Sequence, residues 1–461
     1  MRIIIVLALL STLLISGSCK QAGTTGKEKS GTKTVTEAVT DTAAQSVELN
    51  SDLFTNRDMQ QTPDLSEAEY ISLEEGKDVT ISSEGVYVLS GNAKNVTVYV
   101  DADDNAKVQI VLDGVTLTNT NKPCIYVKNA DKVFVTSVSD GNTLSVSGSF
   151  TADGDTNTDA VIFSKDDLVL NGTGKVTISS TDNGIAGKDD IKVTGGTWQI
   201  SCEGSAIEAH EGIMIADGNI EITKCNDGIH AEDSDDDTTG FVYIGGGSLN
   251  IKASDDGIHA TTSVQIDGGN IEISAAEGVE GTIIQINGGT IDIEASDDGI
   301  NAAQKSSSLT PSFEMNDGNV TITMGQGDTD GVDSNGDIVI NGGTISITGQ
   351  SAFDYDGTAE FNGGTIIENG QETNTITNQM FGGPGGMGGQ GQMGNGGNPG
   401  MPGNMQNGER PEMPGNMQNG ERPEMPGNMG GQGRMGNRDN SEISGGSGRM
   451  EKSDNTKNQG E

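Results

Sequence analysis

Short runs of alternating apolar and polar residues recur about every 21 residues between Val176 and Asp356. The clearest copies span residues 242–258, 264–279 and 284–300. Each copy has two alternating stretches, a Gly-Gly turn between them, and an acidic residue followed by Gly-Ile or Gly-Val. Alternation rich in Ile, Val and Thr predicts β-strands. A constant period of this length indicates a repeat architecture.

Two or three short strands per repeat predict an all-β fold, a right-handed parallel β-helix. A β-propeller is the alternative, but its blades need about 40–45 residues. The glycines are expected to supply turns with positive φ. Insertions at 232–240 and 303–311 should form loops outside the solenoid. In the core, we expect Ile284, Ile286, Ile291 and Ile293 to stack on Val264, Ile266, Ile271 and Ile273.

The chain of 461 residues divides into four segments by composition. Residues 1–19 have an apolar run and small residues before a cysteine, which predicts a lipoprotein-type signal peptide with lipidation at Cys19. We therefore expect an exported lipoprotein on the extracellular face of the cell membrane, with simple secretion as the alternative. Residues 20–48 are predicted to be a disordered tether, residues 49–380 the parallel β-helix, and the Gly/Met/Pro-rich residues 381–461 a disordered tail.

A formal net charge of −42 changes the choice of partners. Its field repels polyanions, so nucleic acid and anionic membranes are not expected to bind directly, whereas cations are favoured. Aromatic residues are only 3% of the chain, and Trp198 is the single tryptophan, so a flat aromatic platform for sugars is not expected. Arg57 is the one arginine between residues 49 and 379. This scarcity disfavours a lyase that uses an arginine base, although lysines remain, and we predict no enzyme activity.

Aligning the copies on the Gly-Ile or Gly-Val pair places polar residues in two columns. The residues before the glycine, which is replaced by Ala206 in one copy, are Asn183, Ser205, Asp227, Asp256, Glu277, Asp298 and Asp330. Two positions after the glycine come Ala186, Glu208, His230, His259, Glu280, Asn301 and Asp333. Parallel strands lie about 4.8 Å apart, so stacked carboxylates repel unless they are protonated or bridged by cations.

Calcium is the predicted cofactor, because it takes about six to eight oxygen ligands. The alternative is that the acidic residues only form turns. The predicted ligands in the columns are Asp227, Asp256, Glu277, Asp298, Asp330 and Asp333, with Asp328 in the same loop as the last two. A second candidate loop carries oxygen ligands at alternate positions, as an EF-hand loop does at its start, in Asp153, Asp155, Asn157 and Asp159. The glutamate that would complete an EF-hand is absent.

Two histidines and two cysteines leave alternatives open. His230 and His259 fall on neighbouring rungs with Glu280 next, which fits either a transition-metal site or a polar surface ladder. Cys202 and Cys225 are about one rung apart. They could form a disulfide in an exported protein or serve as two small buried hydrophobic residues.

Several non-repeat stretches carry a family resemblance. They are LFTNRD (53–58), FTADGDTNTDAVIFSKDDLVLNGTG (150–174), STDNGI (180–185), TMGQGDTDGVDSNG (323–336) and GQSAFDYDGTAE (349–360). With them, residues 49–380 resemble a bacterial exported carbohydrate-binding β-helix family known from clostridia. The resemblance implies a fold related to polysaccharide lyases, bound calcium, and non-catalytic binding of acidic polysaccharides such as polygalacturonate. The alternatives are a surface stalk or adhesin without sugar specificity and a weak pectate-lyase-like enzyme.

Overall fold

The computed structural model describes residues 53–327 and 329–379, which belong to one compact unit. The predicted signal peptide with Cys19, the tether, the C-terminal tail and Asp328 lie outside the described residues. The described part contains 34 β-strands. Within the same ranges, no helix has the length and hydropathy needed to cross a bilayer.

The first twelve strands are β1 (Glu69–Ser72), β2 (Val79–Ile81), β3 (Gly85–Lys94), β4 (Val98–Asp101), β5 (Lys107–Asn119), β6 (Ile125–Asn129), β7 (Lys132–Ser137), β8 (Asn142–Val146), β9 (Ala160–Ser164), β10 (Asp167–Gly172), β11 (Lys175–Ser179) and β12 (Asn183–Gly187). The next eleven are β13 (Ile191–Val193), β14 (Thr197–Ser201), β15 (Ile207–Ala209), β16 (Gly212–Ile215), β17 (Asn219–Cys225), β18 (Ile229–Ala231), β19 (Phe241–Ile244), β20 (Ser248–Ala253), β21 (Asp256–Ile266), β22 (Asn270–Ala275) and β23 (Glu277–Ile286). The last eleven are β24 (Thr290–Ala295), β25 (Ile300–Ala302), β26 (Ser312–Met315), β27 (Asn319–Met324), β28 (Asp330–Ser334), β29 (Asp337–Ile340), β30 (Thr344–Thr348), β31 (Ser351–Tyr355), β32 (Ala359–Phe361), β33 (Thr365–Glu368) and β34 (Gln371–Thr373).

Three parallel sheets run along the solenoid, because each strand pairs with its counterpart one turn later. Sheet one includes β7, β10, β13, β16, β19, β26 and β29. Sheet two includes β8, β11, β14, β17, β20, β22, β24, β27 and β30. Sheet three includes β9, β12, β15, β18, β25, β28 and β31. The predicted parallel β-helix is confirmed, and its predicted right hand is the one that nearly all parallel crossover connections adopt.

Two long strands each serve two sheets in the middle of the solenoid. The first halves of β21 and β23 lie in sheet three and their second halves lie in sheet one. The predicted core stacks are confirmed there, since Val264 pairs with Ile284 and both are fully buried. The insertions at 232–240 and 303–311 contain no strand and interrupt the stack as loops, as predicted.

The two glycine positions of the repeat have different physical roles. Gly289, in the Gly-Gly turn, has φ of +92°, as predicted for a glycine in a turn. Gly278, in the Gly-Val pair, instead lies inside β23. A Cβ atom on Gly278 would lie 2.3 Å from the Gly299 carbonyl oxygen and 2.5 Å from Cγ2 of Ile293. The Gly-Ile and Gly-Val glycines are therefore required by the close approach of neighbouring rungs rather than by a turn.

Residues 53–62, which we call the strap, cross the outside of sheet one before the solenoid begins. The Arg57 guanidinium lies over the Phe134 ring at 4.5 Å. The strap also makes polar contacts with sheet one. Asp58 forms an ion pair with Lys132 at 3.5 Å, and the Gly172 amide donates to the Gln61 side chain at 2.9 Å. Lys192 Nζ donates to the Leu53 carbonyl at 2.7 Å. The strap thus joins three successive rungs, those of β7, β10 and β13.

Gly278→Ala is expected to destabilise the protein by about 1–3 kcal/mol, the usual cost of adding a methyl group where there is no space. The matched control is Gly141→Ala, because a Cβ atom there meets nothing within 4 Å. The measurement is urea-induced unfolding followed by circular dichroism. Equal midpoints for the two variants would show that the close approach of the rungs at Gly278 carries no steric constraint.

Candidate functional site

The two polar columns lie side by side on sheet three, in the register that the Gly-Ile alignment predicts. Asp256 pairs with Glu277, and His259 pairs with Glu280. Glu280 pairs in turn with Asn301, the next member of its column. Side chains of the two columns also meet within one rung, since His259 Nδ1 lies 3.0 Å from Asp256 Oδ2. The columns therefore form one continuous polar surface.

Glu280 is the centre of the middle part of this surface and is only 4% exposed. Its carboxylate lies 2.7 Å from His259 Nδ1 and 2.7 Å from Lys305 Nζ. Burial alone would raise the pKa of Glu280, but the hydrogen bonds from His259 and Lys305 lower it to about 2. Glu280 is therefore an ionised carboxylate whose charge the chain itself neutralises.

The two histidines of the column stack face to face. The ring centroids of His230 and His259 are 4.5 Å apart, with an interplanar angle of 8°. Burial lowers the pKa of His259, but hydrogen bonds to Asp256 and Glu280 outweigh it and raise the pKa to about 9. The Nε2 atoms of His230 and His259 lie 3.2 Å and 3.6 Å from Glu232 Oε2.

The rungs that follow Glu280 carry carboxyl groups in a different environment. Burial, and then the charges of Asp333 and Asp297, raises the pKa of Asp298 to about 7. Burial, and then the charges of Asp354 and Asp330, raises the pKa of Asp333 to about 6. In the described ranges no Lys, Arg or His nitrogen lies within ion-pair distance of Asp298 or Asp333. We call Asp298, Asp330, Asp333 and Asp354 the acidic end of the column.

Glu277 stands between these two environments. Burial raises its pKa, and the charge of Glu280 adds to this effect, so that the pKa is about 8. The Asn301 amide donates to Glu277 Oε2 at 2.9 Å and to Glu280 Oε1 at 3.3 Å. Asn301 thus links the neutralised rungs to the acidic end.

The two insertions supply charged residues that the repeat alignment does not contain. Glu232 begins the first insertion, and Lys305 belongs to the second. The loops also touch each other, because the Ser307 amide donates to Asp237 Oδ2 at 2.8 Å. The sequence gives one indication of this. Each insertion begins two residues after a member of the second column, His230 or Asn301, so its first side chains stay close to that column.

The candidate loop at 153–159 uses part of its oxygen set internally. Asp153 Oδ2 accepts from Lys128 Nζ at 2.7 Å and from the Tyr126 hydroxyl at 3.2 Å. Asn157 donates to the Asp159 carboxylate, and Asp155 is exposed. The structure therefore gives Asp153 a cationic partner, and calcium binding in this loop stays a prediction.

A further group of carboxylates was not predicted from the sequence. Asp167, Asp189 and Asp190 place oxygen atoms within 4.8 Å of one another. Burial, and then the charge of Asp167, raises the pKa of Asp190 to about 7. The sequence signal is the Lys-Asp-Asp triplet at 165–167, repeated one rung later at 188–190.

The cysteines do not contribute to this surface. Cys202 and Cys225 are free thiols in the structure, and both are buried. Burial raises the pKa of Cys202 to about 12. The sequence left open a disulfide or two small buried hydrophobic residues, and in the structure Cys202 and Cys225 are the latter.

Comparison with known proteins identifies the family. A model of the carbohydrate-binding domain-containing protein family matches residues 75–329 and 277–374. The chain belongs to this family. A carbohydrate-binding domain-containing protein of Acetivibrio thermocellus is 34% identical over 125 residues, which cover 26% of this chain and 43% of that relative. This carbohydrate-binding chain therefore spans less than half of that relative's length.

A solved structure is also similar to this carbohydrate-binding chain. It is the polysaccharide lyase-like protein from C. thermocellum, determined as a gadolinium derivative. The identity is 29%, the TM-score is 0.43, and the match covers 49% of this chain and 96% of the other. Carbohydrate binding is thus the function that membership of the family supports.

The stability of the protein in a chelator should fall as pH rises from about 4 to about 7. In this range the folded protein holds protons on Asp298 and Asp333, whose pKa values are about 7 and about 6, whereas unfolded aspartate has already lost them near its ordinary pKa of about 3.9. The folded state binds more protons, so the free energy of unfolding decreases with pH. The measurement is the melting temperature in a chelator at several pH values. Asp298→Asn should reduce this slope, and an unchanged slope in that variant would contradict the assignment.

Glu280→Gln should lower the free energy of unfolding by about 3 kcal/mol or more, because removing one partner leaves buried charges without compensation. Glu294→Gln is the matched control, since Glu294 is exposed on sheet two and surface substitutions usually change stability by about 0.5 kcal/mol or less. Urea unfolding at neutral pH measures both. A similar small effect in the two variants would mean that the His259 and Lys305 contacts to Glu280 are not structurally important.

Proposed function

We propose that this carbohydrate-binding protein holds calcium at the acidic end of the column and binds an acidic polysaccharide through it, without catalysis. The observation that carries the proposal is the contrast along sheet three. The Glu280 charge is neutralised by His259 and Lys305, whereas Asp298 and Asp333 meet other carboxylates. Stacked carboxylates of this kind are stabilised by a bound cation.

The oxygen atoms at the acidic end suit calcium. Calcium takes oxygen ligands from carboxylates, amides and water, and Asp298, Asp330 and Asp333 offer carboxylates on adjacent rungs. Asn301 adds an amide oxygen: Oδ1 is buried and has no hydrogen-bond donor among the described residues. Because its Nδ2 points to Glu277 and Glu280, Oδ1 faces away from those neutralised rungs. Calcium bound there would supply positive charge and free coordination positions.

An acidic ligand is reconciled with an acidic protein only if a cation lies between them. A chain with a net charge of −42 repels a polyanion at long range. A calcium ion held by protein carboxylates can still accept uronate carboxylates as further oxygen ligands. The proposed partner is therefore a uronic-acid polymer of the polygalacturonate type.

The positions of the basic residues support a binding role rather than a lyase. A lyase needs a base beside the calcium-bound uronate. Arg57 belongs to the strap on sheet one and stacks on Phe134, whereas the acidic end is on sheet three. Lys305 is held by the Glu280 carboxylate at 2.7 Å. Neither basic group is aligned with Asp298 or Asp333 for proton abstraction.

Localisation is proposed from the sequence. Export through the signal peptide and a lipid anchor at Cys19 would display the β-helix at the extracellular face of the membrane. A surface position would give the protein access to polymers too large to enter a cell. Labelling with a fatty acid, followed by loss of the label in a Cys19→Ala variant, would identify the anchor.

Calcium should make the full chain bind immobilised polygalacturonate, and a chelator should release it. Asp333→Asn should reduce calcium-dependent retention about tenfold or more, the range found when residues of metal sites are replaced. In the chelator the same variant should melt at a higher temperature than the unsubstituted protein, because one repelling carboxylate is gone. Retention should therefore fall while the melting temperature rises. A variant that was simply misfolded would lose both retention and stability.

Asp113→Asn is the control, since Asp113 is an exposed aspartate in the turn within β5. It should leave both retention and melting temperature unchanged. Retention that persists in the chelator would contradict the calcium bridge. Binding to neutral glucans but not to polygalacturonate would contradict the acidic partner. Absorbance from unsaturated uronate products would contradict a purely binding role.

A further inference from the structure

Two of the three histidines in the chain meet at one point, away from the acidic end. His230 and His259 occupy neighbouring rungs in register. Their Nε2 atoms both face Glu232 Oε2, at 3.2 Å and 3.6 Å. One ligand atom from each of these residues lies within 4.8 Å of the other two. The group therefore has two imidazole nitrogens and one carboxylate oxygen around a common point.

These distances match the spacing of ligands around a tetrahedral zinc ion. Zinc binds imidazole nitrogen at about 2.0–2.1 Å and carboxylate oxygen at about 2.0–2.2 Å, which puts ligand atoms about 3.3–3.5 Å from one another. Both distances from Glu232 are close to this range. The rings of His230 and His259 are stacked with centroids 4.5 Å apart, so both rings must rotate for their Nε2 atoms to bind one ion. Glu232 is 43% exposed, so a further coordination position can face solvent.

The opposite edge of each ring faces a carboxylate, and at His259 the contact is a hydrogen bond. His230 Nδ1 lies 3.4 Å from Asp227 Oδ2. His259 Nδ1 lies 3.0 Å from Asp256 Oδ2 and 2.7 Å from Glu280 Oε2. Metal-binding histidines typically donate their second ring N–H to a carboxylate, which fixes the tautomer and directs the other nitrogen to the metal. This arrangement is present at His259, and Asp227 occupies the equivalent position beside His230, where Nδ1 makes no hydrogen bond among the described residues.

We propose that His230, His259 and Glu232 form a binding site for a zinc ion. Two imidazole ligands select a transition metal rather than calcium, which prefers oxygen. The carboxylates of Asp227 and Asp256 add negative charge that favours a divalent cation. When zinc binds, any protons on the two Nε2 atoms leave to solvent, since only the free nitrogen lone pair is a ligand. The site is separate from the proposed calcium site and does not depend on it.

The repeat and its insertion cooperate to make this site. The column brings the two histidines together because β18 and β21 are in register. The insertion at 232–240 starts directly after β18, so Glu232 leaves the column beside the two rings. Glu280, which the sequence pattern offered as the third ligand, instead supports His259 at Nδ1 and pairs with Lys305.

Titration of the full chain with zinc, followed by calorimetry and by the melting temperature, tests the proposal. One zinc ion per chain should bind and raise the melting temperature in the presence of excess calcium. Cobalt should bind to the same site with the visible absorption of a tetrahedral complex, and zinc should displace it. His259→Ala should weaken zinc binding about 100-fold or more, and Glu232→Gln about tenfold or more. Asp227→Asn should weaken it about 10–100-fold.

His210→Ala is the matched control, because the third histidine pairs with Lys188 at 2.6 Å and lies outside the group. It should bind zinc as the unsubstituted protein does. Glu232→Gln removes an exposed carboxylate and should fold normally, which an unchanged circular dichroism spectrum without added metal would verify. Equal loss of zinc binding in His210→Ala, or zinc binding unaffected by Glu232→Gln, would overturn the assignment. If the protein did not bind polygalacturonate, the proposed function would fail, but the expected zinc binding would not change.

Discussion

In-register parallel hydrogen bonding is the constraint on which the whole structure depends. Each strand pairs with the same position of the next turn, so one residue type recurs along the solenoid about every 4.8 Å. At the Gly-Ile and Gly-Val pairs the neighbouring rungs approach so closely that a carbonyl oxygen lies where a Cβ atom would be, as at Gly278. The rule that stacks isoleucines into a core also stacks carboxylates on the surface, and their repulsion follows from the fold itself.

The protein meets this repulsion in two ways on one sheet. In the middle rungs, His259 and Lys305 neutralise Glu280, which remains ionised while buried. At the acidic end no residue of the described ranges supplies such a cation to Asp298, and its pKa rises instead. One surface therefore contains a part whose charge the protein neutralises with its own side chains and a part for which we propose a cation from solution.

The sequence predicts what is periodic and misses what is not. The register of the columns and the stacking of Val264 on Ile284 could be predicted because a Gly-Ile or Gly-Val pair marks most rungs. Glu232 and Lys305 could not, since they belong to insertions whose path no repeat specifies. Asp153 resembled the start of a calcium loop, but its partner Lys128 comes from a neighbouring rung, and a local motif contains no information about that contact.

The strap has a mechanical consequence. Asp58, Gln61 and Lys192 tie it to three successive rungs of sheet one. Tension that enters the chain at residue 53 therefore acts on several contacts at once before it reaches the first strand at Glu69. The strap thereby protects the terminal rung, the least supported strand of any solenoid, from being unwound by a pull on the N-terminal segment.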